Sequence, residues 1–257
     1  MTEKASRPVQ SFEIISSLRY EPGLSNTACH HTSSYPDPQN SPYYLLAYHR
    51  DRLIAAASHF QWNEALDCLR QDLESFEALL NASIPDRSKA WRLRVVVNRK
   101  GMVRVEANPT ASIDPMNLSI PSLHTNPSLS VWRVYIDTQS TIPSGFTTHK
   151  TTARDEYTSA RLRAGIMSLT DPAEVLVVNP DGEVMEGSIT TPYFLRNNKW
   201  ITPPLSSGGN AGTTRRYALS QGFCLEQIIF RDELVDGETC WLSNGVRGFM
   251  RGQVIAK

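Results

Sequence analysis

Between residues 49 and 83 the apolar side chains fall at helical spacing. HRDRLIAAASHFQW reads as one helical stretch and NEALDCLRQDLESFEALLNAS continues it. In the second, Leu66, Leu69, Leu73, Phe76 and Leu80 recur every three or four positions, which draws one face of a helix. The pattern then shortens. WRLRVVVNRKGMVRVEAN holds two β-rich runs around Asn98-Arg99-Lys100-Gly101 and predicts a hairpin. The second half opens with a strand, VWRVYIDT, followed by a helix over ARDEYTSARLRAGI. EVLVVNPDGEVMEGSITTPYFLRNNKWITPP alternates strand-like runs with Pro-Asp-Gly and Asn-Asn turns, the pattern of antiparallel hairpins. GTTRRYALSQGFCLEQ predicts a helix entered through Gly212 and two threonines. ETCWLSNGVRGFMRGQVI predicts a strand, a tight turn and a further strand or short helix.

Two segments interrupt these periodicities. Residues 21–42 are rich in Pro, Ser and Asn, and 107–130 carry four prolines. Proline removes a backbone donor and biases the preceding residue toward extended backbone. The first reads as an inserted loop and the second as a linker. The reading is therefore a mixed α/β chain of the α+β kind. A small N-terminal domain spans 1–107, a linker 108–130, and a larger domain 131–257.

Composition narrows the partners. Lys+Arg and Asp+Glu each number 26 in 257 residues, so the net charge is zero and nothing favours nucleic acid or an acidic membrane. No run approaches the ~20 apolar residues that cross a bilayer, and the N-terminus lacks a signal-like segment. The expectation is a cytoplasmic protein whose partner is a small molecule. Cys29, Cys68, Cys224 and Cys240 form no C-x-x-C pair and read as reduced thiols. The six histidines have no metal-ligand spacing, and His30-His31 reads as a solvated pair. No metal is expected.

Four places could carry chemistry. GGNAGTTRRYAL leads glycines into a helix start, where free amides and the helix dipole suit a phosphate; a plain capped helix would look the same. Lys150 lies between a strand and a polar helix start. It is either a surface lysine or, if partly buried among cations, a neutral amine that attacks a carbonyl. Glu186 in EVMEGSITTPYF is either a solvated edge residue or a carboxylate facing a cofactor's ring nitrogen. Arg52 opens a helix and is either exposed or a phosphate ligand.

The order of these pieces carries more than any one of them. His49-Arg50-Asp51-Arg52-Leu53, His149-Lys150-Thr151-Thr152, Glu186-Gly187-Ser188 through Tyr193, Thr202-Pro203-Pro204 and Gly212-Thr213-Thr214-Arg215 together resemble the class-IV aminotransferase family, the fold-type IV pyridoxal-phosphate enzymes. The resemblance runs over roughly 11–255. It implies that the larger domain holds a mainly antiparallel, barrel-like sheet with flanking helices, and that the protein is a homodimer. It implies pyridoxal 5'-phosphate as cofactor and Lys150 as the Schiff-base lysine. It further implies Glu186 at the pyridine nitrogen, Ser188 near the ring, and Arg52, Thr213 and Thr214 on the phosphate. SSLRYEPG, HKTTARDEY and LSNGVRGFM look like the aminodeoxychorismate lyases of that family. Asn244 and Gly245 then form the last cofactor-binding turn, and Arg247 and Arg19 are candidate contacts to substrate carboxylates. The implied activity is conversion of 4-amino-4-deoxychorismate to 4-aminobenzoate and pyruvate, a folate-precursor step. Transamination of branched-chain or D-amino acids is the alternative, and a non-catalytic relative is a third. Several positions depart from the family pattern. Thr191-Pro192 replaces the usual Asn before the aromatic residue, Thr213 replaces Ile, and Asp155 replaces a tyrosine. Tyr157, two residues further on, is left without a role.

Overall fold

The computed structural model describes residues 11–24, 41–121 and 131–256. The expectations on Cys29, His30 and His31, on most of the 21–42 loop, and on residues 122–130 of the linker lie outside the described residues.

A three-stranded antiparallel sheet forms from β1 (Ile14–Tyr20), β2 (Trp91–Val97) and β3 (Val103–Pro109), in that order. Helices α1 (Leu46–His59), α2 (Asn63–Leu69) and α3 (Leu73–Asn81) cover one face. Alternation in β2 explains the arrangement. Leu93, Val95 and Val97 enter the core with Ile14, Leu18, Leu53 and Leu80, while Arg92 and Arg94 point the other way. The hairpin at 98–101 is as expected. The Asn98 carboxamide oxygen accepts from the amides of Lys100 and Met102, both at 3.0 Å. Gly101 has φ +72°, and a Cβ there would stand 2.6 Å from the Glu64 carbonyl oxygen, so only glycine fits.

The apolar stripe at 66–80 belongs to two helices rather than one. Arg70, Gln71 and Asp72 break it, and the extended Asp72 accepts from the Ser75 amide at 2.6 Å, capping α3. The stripe survives the break: Leu66, Leu69, Phe76 and Leu80 are buried together.

The second sheet has eight strands. Their order is β6 (Val184–Gly187), β5 (Ala173–Val178), β4 (Trp132–Ser140), β11 (Gly248–Ile255), β10 (Thr239–Asn244), β7 (Thr191–Arg196), β8 (Lys199–Thr202) and β9 (Cys224–Glu226). Four of the neighbouring pairs are antiparallel and three, β4 with β5, β4 with β11, and β8 with β9, are parallel. The two edges almost meet. The Val184 amide donates to the Ile229 carbonyl at 2.8 Å, and the Arg231 amide to the Gly182 carbonyl at 2.9 Å. The sheet is curled and barrel-like. β5 is buried along its whole length because α5 (Asp155–Arg163) packs over Ala173 and Val175 while Leu176 faces the sheet's own core. Asn197 and Asn198, at φ 50° and 62°, turn β7 into β8.

Helix α6 (Thr213–Ser220) is shorter than its sequence reads. Gly222 takes φ +65°, the amides of Gly222 and Phe223 return to Leu219 and Ala218, and Cys224 leaves to pair with Trp200. Among the described residues no helix is long and apolar enough to cross a membrane.

The free edge of β1 joins the two sheets. The Ile15 amide donates to the Lys150 carbonyl at 2.9 Å, the Thr152 amide to the Glu13 carbonyl at 2.8 Å, and the Arg19 amide to the Gly245 carbonyl at 3.1 Å.

Candidate active site

Between the sheets lies a cavity of about 410 Å³. Lys150 enters it from an extended segment between α4 (Gly145–Thr148) and α5. Ser144 caps α4 in a capping box, His149 is already extended, and the β1 edge fixes the backbone of 150–152. Burial holds the Lys150 amine well below its usual pKa. The Arg154 and Arg52 cations push the same way, and Glu186 opposes them in part. The shift favours the neutral amine, the form with a free electron pair.

Glu186, on β6, lines the same cavity. Its Oε1 accepts from the Tyr157 hydroxyl at 2.5 Å. Burial raises its pKa to about 6, against the pull of Tyr157, Arg154, Lys150 and the Asn210 amide.

A cradle for an anion occupies another part of the lining. Arg52 comes from α1, and Thr213 and Thr214 from the first turn of α6. The first amides of a helix have no partner within it. The Arg52 Nε and Thr214 Oγ1 atoms are both buried and have no hydrogen-bond partner among the described residues. Burial pushes the Arg52 guanidinium down to about 10. Unpaired buried donors of this kind are costly, and an oxyanion would satisfy them together. Gly245 closes the cradle: a Cβ there would stand 2.9 Å from Thr213 Oγ1 and 2.5 Å from the His49 ring. Asn244 shapes this turn, its Oδ1 accepting from the amides of Val246 and Arg247 at 3.0 and 2.8 Å. The donor set suits a phosphate monoester, and Lys150 and Glu186 suit an aldehyde and a ring nitrogen.

Ser188 lines the cavity, but its hydroxyl is engaged. It donates to Glu174 at 2.5 Å and accepts from Arg161 at 3.0 Å. Glu174 is fully buried and also takes the amides of Val175, Ser188 and Ile189 and the Thr190 hydroxyl. It thereby fixes the turn that follows Glu186. Arg154 binds this turn from the lysine side. It donates to the Ser188 carbonyl at 2.5 Å, and its guanidinium lies 4.4 Å from the centre of the Tyr157 ring.

The polar end of the cavity holds three more arginines. Arg94 is held by Glu106 at 2.8–2.9 Å. Arg92 has no hydrogen bond or ion pair among the described residues. Arg247 donates to the Leu169 carbonyl at 3.0 Å and lies 5.3 Å from the Trp132 ring centre. Burial lowers the pKa of both Arg92 and Arg247; the Arg94 cation adds to the shift of Arg92, and the Arg92 cation to that of Arg247.

The structure brings Arg52, Lys150, Glu186, Ser188, Thr213, Thr214, Asn244, Gly245 and Arg247 to one cavity. Arg19 is the exception and corrects the sequence reading. It is fully buried outside the lining, paired with Glu21 at 2.6 Å and donating to the Ala111 carbonyl at 2.8 Å, so it fastens the chain after β3. Sequence reasoning missed Arg92, Arg154, Arg161 and Glu174, and left Tyr157 open. Arg154 had one available signal: it follows Lys150 by four residues at the start of a helix.

Comparison with known proteins agrees with this geometry. The family model for amino-transferase class IV matches residues 37–255. An aminodeoxychorismate lyase of Saccharomyces cerevisiae is 28% identical over 256 residues, covering 84% of this chain and 68% of that protein. A branched-chain aminotransferase from Thermoproteus uzoniensis superposes with a TM-score of 0.65 at 18% identity, over 98% of this chain and 83% of that one. A Legionella pneumophila protein with the provisional name 4-amino-4-deoxychorismate lyase does so with a TM-score of 0.66 at 14% identity, over 99% and 89%. At these identities the structural likeness speaks for the fold alone.

Proposed function

The chain belongs to the amino-transferase class IV family, and from that premise we propose that it is a pyridoxal-phosphate-dependent lyase that splits 4-amino-4-deoxychorismate into 4-aminobenzoate and pyruvate. One observation carries the reading. A half-buried lysine whose amine is shifted toward its neutral form, a half-buried carboxylate and an anion cradle with donors unpartnered among the described residues share a single cavity. The name of the yeast relative supports the choice of substrate. The two arginines without a carboxylate partner at the polar end, Arg92 and Arg247, suit a substrate with two carboxylates.

When bound, the cofactor supplies an aldehyde that condenses with amines and a pyridine ring that draws electron density from the carbon beside the nitrogen. Arg52, Thr213, Thr214 and the α6 amides would hold its phosphate. Glu186, kept in place by Tyr157 and the Asn210 amide, would hold a proton at the ring nitrogen. Lys150, its amine shifted toward the neutral form by desolvation and by Arg154 and Arg52, would be the group that bonds to the aldehyde. The Lys150 amine would also be the base that takes the proton from the amine-bearing ring carbon. The C–O bond to the enolpyruvyl group then breaks. The ring becomes aromatic, and the departing enolpyruvate takes a proton at its methylene carbon to become pyruvate. Arg92 and Arg247 would orient the carboxylates, so that the C–H bond and the C–O bond both stand correctly to the lysine. On this reading the protein works in the cytosol as a homodimer, the second point being open to sedimentation analysis.

The test supplies the protein with cofactor and with the substrate generated from chorismate and an amine donor. Equal amounts of 4-aminobenzoate and pyruvate are expected, and none from Lys150→Ala. Amino exchange with a 2-oxo acid and no 4-aminobenzoate would make the protein a transaminase. Failure of the cofactor-loaded protein to show a near-visible absorbance band bleached by borohydride would refute any lysine–aldehyde linkage.

A further inference from the structure

Among the buried titratable groups that the mechanism above does not use is one beside the anion cradle. His49 stands on α1 one turn before Arg52 and is fully buried. Its Nδ1 is 2.7 Å from the hydroxyl of Ser16, on β1, and its Nε2 is 3.4 Å from the hydroxyl of Thr213, at the head of α6. The ring also fills the space behind Gly245. His49 thus touches Thr213 and the Gly245 turn of the anion cradle and shares a helix with the cradle's cation.

We propose that Ser16 and His49 are positioning residues that fix the Thr213 hydroxyl as a hydrogen-bond donor toward a phosphate monoester in the cradle. The inference rests on the phosphate-binding reading of that cradle.

The argument is one of proton counting. Burial, with the Arg52 cation nearby, keeps the imidazole neutral. A neutral imidazole has one N–H and one acceptor nitrogen. Two arrangements are open to the chain Ser16–His49–Thr213. If Nδ1 holds the proton, it donates to Ser16, and the Thr213 hydroxyl must spend its only proton on Nε2. The lone pairs of Thr213 then face any anion in the cradle. If Nε2 holds the proton, Ser16 donates to Nδ1, Nε2–H donates to Thr213 Oγ1, and the Thr213 proton is left for a phosphate oxygen. Only the second arrangement suits an anion. Thr213 lines the cavity with Thr214, Arg52 and Gly245, so a proton released from the imidazole has that ligand to meet. Ser16 matters because its hydroxyl can occupy Nδ1 as a donor and so leave the imidazole proton at Nε2.

The experiment compares pyridoxal 5'-phosphate with pyridoxal as ligands of the apo-protein. The ratio of their dissociation constants isolates what the phosphate contributes and is insensitive to a general loss of fold. In His49→Gln the side-chain amide nitrogen replaces Nε2 and still reaches Thr213; the ratio is expected to stay within about threefold of wild type. In His49→Asn the amide reaches Ser16 but not Thr213, and the ratio is expected to fall by about tenfold or more, the effect of one hydrogen bond to a charged group. Ser16→Ala, which frees the tautomer, is expected to fall in between. Equal ratios for His49→Asn and wild type, or equal losses in the Asn and Gln variants, would overturn the proposal. A wild-type ratio near one would overturn it together with the phosphate-binding reading, which sets the two failures apart. Should His49→Asn not fold, nitrogen-15 NMR of the histidines in wild-type protein loaded with pyridoxal 5'-phosphate decides the matter. A protonated Nε2 and a bare Nδ1 on His49 are expected, and the opposite tautomer or an imidazolium overturns the proposal.

Discussion

Replacing Glu186 with glutamine removes a charge that folding makes harder to form. The carboxyl has an ordinary pKa of 4.5 and is raised to about 6 in the folded protein. A group that binds its proton more tightly when folded stabilises the fold below its unfolded pKa. That contribution is lost as pH rises through the folded value. At ~1.4 kcal/mol per pH unit, the gap makes ionising Glu186 in the apo-protein cost about 2 kcal/mol. Glutamine does not ionise and escapes this loss. It keeps an oxygen for the Tyr157 hydroxyl but can leave the Asn210 amide unmatched, a penalty that does not vary with pH. The measurable quantity is therefore the pH dependence of the difference. Urea unfolding of both apo-proteins, from about pH 4 to about pH 7.5, should show Glu186→Gln gaining about 2 kcal/mol on wild type. Most of that gain should appear between pH 4.5 and about 6. A difference that stays flat within 0.5 kcal/mol, to take about the precision of such work, would refute the burial argument. On the proposed function, saturating pyridoxal phosphate reverses the trend, because a protonated ring nitrogen favours the carboxylate.

Two other substitutions address neighbouring parts of the site. Glu174→Gln weakens the acceptor of Ser188, Ile189 and Thr190 and leaves Arg161 buried without its carboxylate. It should cost about 3 kcal/mol in urea unfolding, and a loss under ~0.5 kcal/mol would show that this network is not needed to hold the turn. Arg92→Gln, at the polar end of the cavity, should raise KM for the substrate on the order of tenfold while leaving kcat within about twofold. An unchanged KM would remove Arg92 from substrate binding.

Much of the candidate site was legible through the family resemblance, because the motif residues that carry it stand at the ends of elements. Thr213 and Thr214 follow the Gly212 that opens α6, and Lys150 follows the strand-like segment before α5. Such positions carry recognisable punctuation whether or not a ligand is present. What stayed hidden lay on element faces. Arg92 and Arg94 alternate with Leu93 and Val95, a pattern that describes a solvent-facing strand equally well; only the second sheet turns that face into a cavity wall. Glu174 sits in a run of apolar residues and is legible only once the turn at 187–190 folds back onto it. Arg19 misled for the opposite reason. Its neighbour Glu21 is two residues away, the spacing of one strand face, so the pair could be foreseen, but its complete burial could not. The break at 70–72 was obscured because the stripe of leucines continues in phase across it.

The bonds from β1 to the Lys150 segment and to Gly245 also restrict how the enzyme can open. Three amide–carbonyl links cross from the first sheet to opposite sides of the cavity. The two halves therefore cannot part like jaws without breaking backbone pairing at the lysine itself. The amides of residues 15, 19 and 152 should then be among the slowest in the protein to exchange with heavy water, slower than any surface hinge would permit.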